Sequence, residues 1–248
     1  MRLIKHFILW TALIGVAACS VPGPGEAPDG IHDPYEAQNR AAHHFNIAID
    51  RKLLRPASQE YVGVIPEDVQ IVISNFGSNL SVPGDVVNQL LQGRFDRATR
   101  NTARFLINTT LGIGGIADIA KDIGLPDDGT DFGETLHVWG AAEGAYVELP
   151  LLGPSTQRDA AGTVVDFFLN PLDHVLPKPE KYIGTTARIA SAVGDRGNFS
   201  DVIDGVLYDS ADSYAQARVI YLQNRRFDLG IEDEESYIDP FELDTEGF

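Results

Sequence analysis

Apolar residues recur every three or four positions along most of this chain, the period of amphipathic helices. Ala41, Phe45, Ile49 and Leu53 form a first stripe, with Asp33 placed to cap the helix and Pro34 at its first position. Residues 56–64 read as a connector. A second helix then opens at Pro66 and carries Val69, Val72, Ile73, Phe76 and Leu80 on one face. Gly77 lies inside it, where glycine costs about 1 kcal/mol relative to alanine, so a close packing contact is predicted there. Residues 81–85 read as a turn, followed by a short helix that stops at Gly93.

Residues 94–110 put Phe95, Ala98, Thr102, Phe105 and Leu106 on one face, and Arg97, Arg100 and Arg104 on the opposite one. The arginine stripe is open to two readings, a solvated face or a surface turned to a phosphate or an acidic partner. A glycine corner follows at residues 112–115, then a short helix with Ile116, Ile119, Ala120 and Ile123 inward. Residues 155–170 form a helix with Arg158, Asp159 and Asp166 outward and an apolar band of Val164, Val165 and Phe167 to Leu169. A small-residue helix over 179–193 and a short one over 199–207 precede the last long helix, 211–227. There Tyr214, Arg218, Tyr221 and Arg225 share one face, as a surface arrangement or as a stripe turned to a partner or headgroup.

The helical period fails over residues 131–154, DFGETLHVWGAAEGAYVELPLLGP. Four glycines, two prolines and a short alternating run predict a shaped loop with a hairpin near 138–149 rather than a packing element. Long ordered loops tend to carry function. The fold class is therefore mainly α: one helical domain over 33–230, with a hairpin-like loop around 131–154.

The ends change the picture. Arg2 and Lys5 precede an apolar run of about ten residues and the small residues Ala17 and Ala18, a removable leader over 1–18. Cys19 is the single cysteine and follows Val16-Ala17-Ala18, which resembles a bacterial lipobox; an ordinary signal peptide before a free cysteine is the other reading. Ser20 after it favours the outer membrane. Residues 19–32, rich in proline and glycine, read as a tether from a lipid to the domain. Residues 231–248 read as an acidic, disordered tail.

The formal charge of −17 argues against nucleic acid as a partner. Chemistry is sparse. His43 and His44 are adjacent, so on a helix they diverge by about 100° and cannot chelate one metal. His137 and His174 lack ligand spacing, and Ser155 follows Gly-Pro rather than a nucleophile elbow. Gly112-Ile113-Gly114-Gly115-Ile116-Ala117 matches a dinucleotide pattern only formally, since a helix rather than a strand precedes it. The Asp127, Asp128, Asp131 run lacks the closing Glu of a calcium loop and reads as a polar turn. No enzyme, metal site or cofactor is predicted.

Ordered motifs extend from Asp33-Pro34-x-Glu36, Asn39-Arg40 and Phe45-Asn46 through Asn75-Phe76, Leu91-Gln92-Gly93, Arg104-Phe105 and Asn108-Thr109. Phe132-Gly133, Gly140, Gly144, Leu149-Pro150, Arg158-Asp159 and Tyr214 continue the series. Together they resemble the MlaA (VacJ) lipoproteins. The resemblance implies a ring-shaped helical lipoprotein, anchored through Cys19 in the inner leaflet of the outer membrane beside a trimeric porin. It would remove mislocalised glycerophospholipids from the outer leaflet, without a cofactor. They would pass through a central amphipathic channel to a soluble periplasmic carrier feeding an inner-membrane ATP-driven (ABC) transporter. A scaffolding lipoprotein without lipid transport is the alternative. The loop is similar to a channel-lining hairpin with a Gly-x-Gly-x-Gly run, which places Trp139, Gly140, Ala142, Glu143, Gly144 and Tyr146 on the lipid path. Ala142 stands where a middle glycine is usual, and Glu143 adds a charge. Arg158, Asp159, Tyr214 and Arg218 are the partner-binding candidates, taken as exposed polar or aromatic groups.

Overall fold

A computed structural model describes residues 30–231. The predicted leader, Cys19, most of the tether and the acidic tail beyond residue 231 lie outside the described residues. The fold is mainly α, as the periodicity predicts. Helix α1 (Glu36–Ile49) runs through a π turn (Asp50–Leu54) directly into α2 (Arg55–Val64), so the connector predicted at 56–64 is helical. Pro56 is tolerated because it sits in the first turn of α2. Asp33 does not cap α1: Tyr35 occupies that position, and the Asp33 carboxylate instead accepts from Asn39, Tyr214 and Arg218. Residues 30–32, assigned to the tether, join the folded body, since the His32 carbonyl accepts from the Tyr146 amide at 2.8 Å.

Helix α3 (Glu67–Leu91) continues through the predicted turn at 81–85 with Pro83 inside it. It packs on both α4 (Phe95–Thr110) and the later helix α9 (Ile183–Asn198). Gly77 meets α9 so closely that a Cβ there would lie 3.2 Å from the Arg188 amide nitrogen, which bears out the predicted contact. The glycine corner after α4 is present: Gly114 and Gly115 have φ of 76° and 96°, values that favour glycine. Next come α5 (Ile119–Asp122), α6 (Phe132–Val138) and an antiparallel hairpin, β1 (Tyr146–Leu149) with β2 (Gly153–Thr156). Tyr146 pairs with Thr156, and Leu149 with Gly153. The hairpin thus lies later than 138–149. The first third of the predicted loop is helix α6, whose Gly133, Glu134, Thr135 and Leu136 are buried. The chain ends, as described, with α7 (Gln157–Leu169), α8 (Leu172–Val175), α9, α10 (Ser200–Asp204), a second π turn (Gly205–Asp209) and α11 (Ser213–Asp228).

Most helices stand where the period puts them, but on α1, α4 and α7 much of the predicted apolar face is exposed and polar groups are buried instead. In α1 the buried side chains are Asn39 and His43, while Phe45 is 47% exposed; Asp50 in the π turn is buried and Leu53 is 61% exposed. In α4 Ala98, Asn101, Arg104 and Asn108 point inward, and Phe95 and Leu106 outward. In α7 the buried residues are Arg158, Asp159 and Gly162, while Val164, Phe167 and Phe168 are exposed. Only Ala120 of the short α5 region is fully inward; Ile116 and Ile123 are exposed. Among the described residues, eighteen polar or charged side chains are buried against eight hydrophobic ones. A water-soluble domain shows the opposite balance. Among the described residues no helix is long and apolar enough to cross a membrane.

Candidate functional site

The densest part of the polar interior lies where α6, the hairpin, α7 and α11 meet. Asp131 caps α6 by accepting from the Glu134 amide, and Thr156 caps α7 by accepting from the Asp159 amide. These caps hold two carboxylates side by side, and Arg225 of α11 spans them, donating to Asp131 at 2.7 and 2.8 Å and to Asp159 at 3.0 Å. Tyr221 donates to Asp159 at 2.8 Å, and Arg158 Nε donates to it at 3.2 Å. The helices approach this closely because Gly162 faces Gly133; a Cβ on Gly162 would sit 2.3 Å from the Gly133 nitrogen. Burial alone would raise the Asp159 pKa, but Arg225 and Arg158 hold it below the ordinary carboxylate value.

A second polar knot ties the hairpin to α1. Tyr146 is buried among Tyr214, Leu222 and the flanking Ile31 and Tyr221. Its hydroxyl donates to Glu148 at 2.5 Å, and the same carboxylate accepts from Asn46 at 3.2 Å and faces His43 at 3.3 Å. Asn39 bridges two backbone groups of β1, donating to the Tyr146 carbonyl and accepting from the Glu148 amide.

The α4 arginine stripe divides: Arg104 is buried and Arg97 half-buried against an acidic partner, while Arg100 is exposed and meets only Asp96 at 3.4 Å and Asp128 at 3.7 Å. Arg97 pairs with Asp128, Arg104 with Asp118 at 3.1 Å and with the Leu125 carbonyl, and Arg94 with Glu134. The acidic partner is this chain's own 118–134 segment. Two further interior carboxyls have raised pKa values. Burial, with Asp127 nearby, pushes Asp85 up to about 8, and burial pushes Asp166 up to about 6 against the Phe132 amide and Asn88, which donate to it.

The predicted lipid-path residues divide. Trp139 ends α6, is 55% exposed, packs edge-on against Phe132 and donates its indole N–H to the Leu91 carbonyl at 3.0 Å. Gly140 and Ala142 are exposed, and Gly140 and Gly144 hold φ of 86° and 75°. Glu143 is not free to line a path, because Arg226 holds it at 2.9 Å. Tyr146 is sealed in the knot described above. The partner candidates need the same correction of their surroundings: Arg158, Asp159 and Tyr214 are buried, and Arg218 pairs with Asp33 at 2.5 Å. For Arg158 and Asp159 the expectation of exposure rests on reading the apolar band of residues 155–170 as core. The interior groups went unrecognised although they too have helical spacing: Asn39, His43, Asn46 and Asp50 lie at i, i+4, i+7 and i+11.

The family model of the MlaA lipoprotein matches residues 31–228. The lipoprotein MlaA of an intermembrane phospholipid transport system in Escherichia coli K12 is 33% identical over 92% of this chain and 88% of its own length. The protein of the same name from Haemophilus influenzae is 30% identical over 90% and 91%. An uncharacterised Rickettsia conorii protein is 36% identical over 76% of this chain and 74% of its own length. A structure solved as the structural basis for maintenance of bacterial outer membrane lipid asymmetry superposes with a TM-score of 0.66 at 32% identity. It covers 79% of this chain and 98% of that one. Motif order, helical fold and these matches agree: this chain belongs to the MlaA lipoprotein family.

Proposed function

We propose that this chain is an outer-membrane lipoprotein of a phospholipid transport system, held by a lipid on Cys19 in the periplasmic leaflet after removal of residues 1–18. There it takes up glycerophospholipids that have strayed into the outer leaflet and passes them to a soluble periplasmic carrier. That carrier in turn feeds an inner-membrane ABC transporter, and a trimeric porin is the neighbour in the membrane. The reading is carried by the reversed burial: apolar side chains outside and paired polar groups inside. An apolar exterior is at rest in acyl chains, while a polar interior offers a headgroup the hydrogen bonds that the bilayer core withholds. A ring enclosing an amphipathic channel is the arrangement proposed, with the exposed lip Trp139, Gly140 and Ala142, and Gly144 beside it, along the lipid path. Family membership and the names of the relatives support the same reading.

The test is extraction of the full chain in detergent and mass spectrometry of what comes with it. Bound glycerophospholipid is expected, and outer-leaflet phospholipid should rise when the gene is deleted. Protein free of lipid, together with an unchanged outer leaflet, returns the chain to a scaffolding role.

A further inference from the structure

Beside the α1–α11 contact is a cavity of about 580 Å³, with no residue of the α6 lip in its lining. That size is in the range that holds small organic ligands. Its lining mixes apolar Ile47, Ala48, Leu207 and Ala211 with charged or titratable Arg40, His44, Arg51 and Asp212. The charges in this lining are unequal in availability. Arg40 donates to Asp212 at 2.8 and 3.0 Å and to Glu36 at 2.7 Å, so it is already neutralised. Arg51 lies over the Tyr208 ring at 4.8 Å and, among the described residues, joins no ion pair. Its sequence neighbour Asp50 cannot serve it, because Arg196 grips that carboxylate at 2.8 Å through two nitrogens and Tyr208 donates to it at 2.5 Å. His44 is exposed and, among the described residues, makes no hydrogen bond. The Ser210 hydroxyl is committed to the Val206 carbonyl, and Ser213 to His43.

What remains is a guanidinium outside any ion pair and an uncommitted imidazole, seven residues apart on one helical run and lining the same amphipathic cavity, in a chain of formal charge −17. A guanidinium matches the oxygens of a phosphate geometrically as well as electrically. We infer that this cavity is a phosphate-binding pocket whose occupant is the phosphodiester of a phospholipid. Arg51 and His44 hold the phosphate, and the glycerol region lies against Ile47, Ala48, Leu207 and Ala211. The apolar part of the lining favours the lipid over free phosphate, which has nothing to place there. Phe45, Leu53 and Leu54 on the same helical run are exposed and continue an apolar surface for acyl chains. The pocket deepens the transport reading by adding a second, headgroup-selective station distant in sequence from the Trp139 lip. It rests on that reading only for the source of the phosphate.

The experiment uses the full chain in maltoside micelles and follows the His44 Cε1–H signal by NMR, assigned with His44→Gln. Three probes are titrated: dihexanoyl phosphatidylglycerol, inorganic phosphate, and dihexanoylglycerol, which lacks the phosphate. The expected result is a saturable His44 shift with the phospholipid, a much weaker one with inorganic phosphate, and none with dihexanoylglycerol. Arg51→Gln should weaken phospholipid binding at least about tenfold, the loss expected for one charge-assisted hydrogen bond. Arg51 joins no ion pair, so the variant should stay folded and lose at most its stacking on Tyr208; if it does not fold, the three titrations of the parent decide. Saturation by inorganic phosphate at equal concentration keeps the phosphate pocket and overturns the lipid assignment. No saturable shift, or an equal one with dihexanoylglycerol, overturns the pocket. Lipid that co-purifies while His44 stays silent sinks this inference and leaves the transport reading standing.

Discussion

Two regions of this molecule solve the same problem by different means. Around α6, α7 and α11, helices are joined by Asp131, Asp159, Arg158, Tyr221 and Arg225, a set of charges and hydroxyls with Arg158 and Asp159 buried at its centre. Between α9 and its neighbours α2 and α3, backbones meet through glycine: Gly77 against Arg188, Gly184 against Leu80, Gly194 against Tyr61 and Gly197 against Val62 and Ser58. Neither region rests on a large oil-like core. If the apolar outer faces rest in lipid, as proposed, water supplies little force to join two helices. Close van der Waals contact between small residues and polar bonding between helices then take over. The ionic region fixes a geometry, because each charge demands its partner. The glycine region fixes a distance.

Breaking the ionic region should have the largest effect. Asp159→Leu leaves Arg158 and Tyr221 without their acceptor and removes one of the two carboxylates that Arg225 spans. A cost of about 3–5 kcal/mol is expected, as for removing one partner of a buried pair. It is read as a lower denaturant midpoint in micelles. Adding Arg158→Met should recover part of the loss, since the second charge is then no longer stranded. A single variant that melts with the parent would mean the charges are solvated and the contrast between the regions is false. The same carboxylate gives a pH signature. Its folded pKa lies below the unfolded one, so its stabilisation is present above pH ~3.8 and is lost as pH falls through the lower folded value.

In the glycine region the expected loss is smaller. A Cβ at Gly197 would lie 2.6 Å from a Val62 methyl and 2.7 Å from the Ser58 carbonyl oxygen. Gly197→Ala should cost about 1–3 kcal/mol by overpacking. Gly63, on α2, has nothing within 4 Å of its would-be Cβ. Gly63→Ala should therefore stabilise by about 0.4–1 kcal/mol through the unfolded chain. Thermal melts of the two variants need only differ in sign to sharpen the point, and equal shifts would remove the role of distance.

The two regions were unequally legible in sequence. Gly77 stood out because a glycine inside an apolar helical stripe needs a packing reason, and the small-residue run of α9 was visible as such. The existence of the helices was legible too, since periodicity does not depend on the solvent. Which face is buried does depend on it. Placing Phe45, Phe95 and Phe167 inward presumes water outside, whereas all three are exposed and, on the proposed reading, acyl chains lie there. Helix α6 was missed because its seven residues carry a glycine and a threonine and little apolar period. Its Asp131 cap and the contact of Gly133 with α7 hold it instead. The pairing of Arg225 with Asp131 joins positions 94 residues apart, which no local pattern contains.

Asp85 lies on α3 between the two regions and reports on both. Burial and Asp127 raise its pKa to about 8, with Asp166 of α7 adding to the rise and Arg188 of α9 opposing it. A carboxyl that keeps its proton when folded but loses it near pH 3.8 when unfolded makes stability fall as pH rises between these values. Asp85→Asn stays neutral, so it should raise Tm at pH 8.5 by about 2–4 °C. Near pH 4 it should change little. Parallel melting curves at both pH values would mean the site is open to water.

A small effect on stability, and the most direct one on function, is expected at Trp139. It belongs to neither region: it leaves the ionic region at the end of α6 and lies exposed on its way to the hairpin, its indole tethered to the Leu91 carbonyl at the end of α3. It is the single tryptophan among the described residues, so its emission reports one place. A side chain that merely decorates a protein surface in detergent should ignore the headgroup chemistry around it. One on a lipid path should shift its emission when phospholipid enters micelles of fixed apolar content, and brominated acyl chains should quench it. Trp139→Phe should keep the Phe132 contact and lose only the hydrogen bond to Leu91, about 0.5–1.5 kcal/mol. Emission that responds equally to phospholipid and to added maltoside would place Trp139 outside the path, and would leave Gly140 and Ala142 alone at the lip.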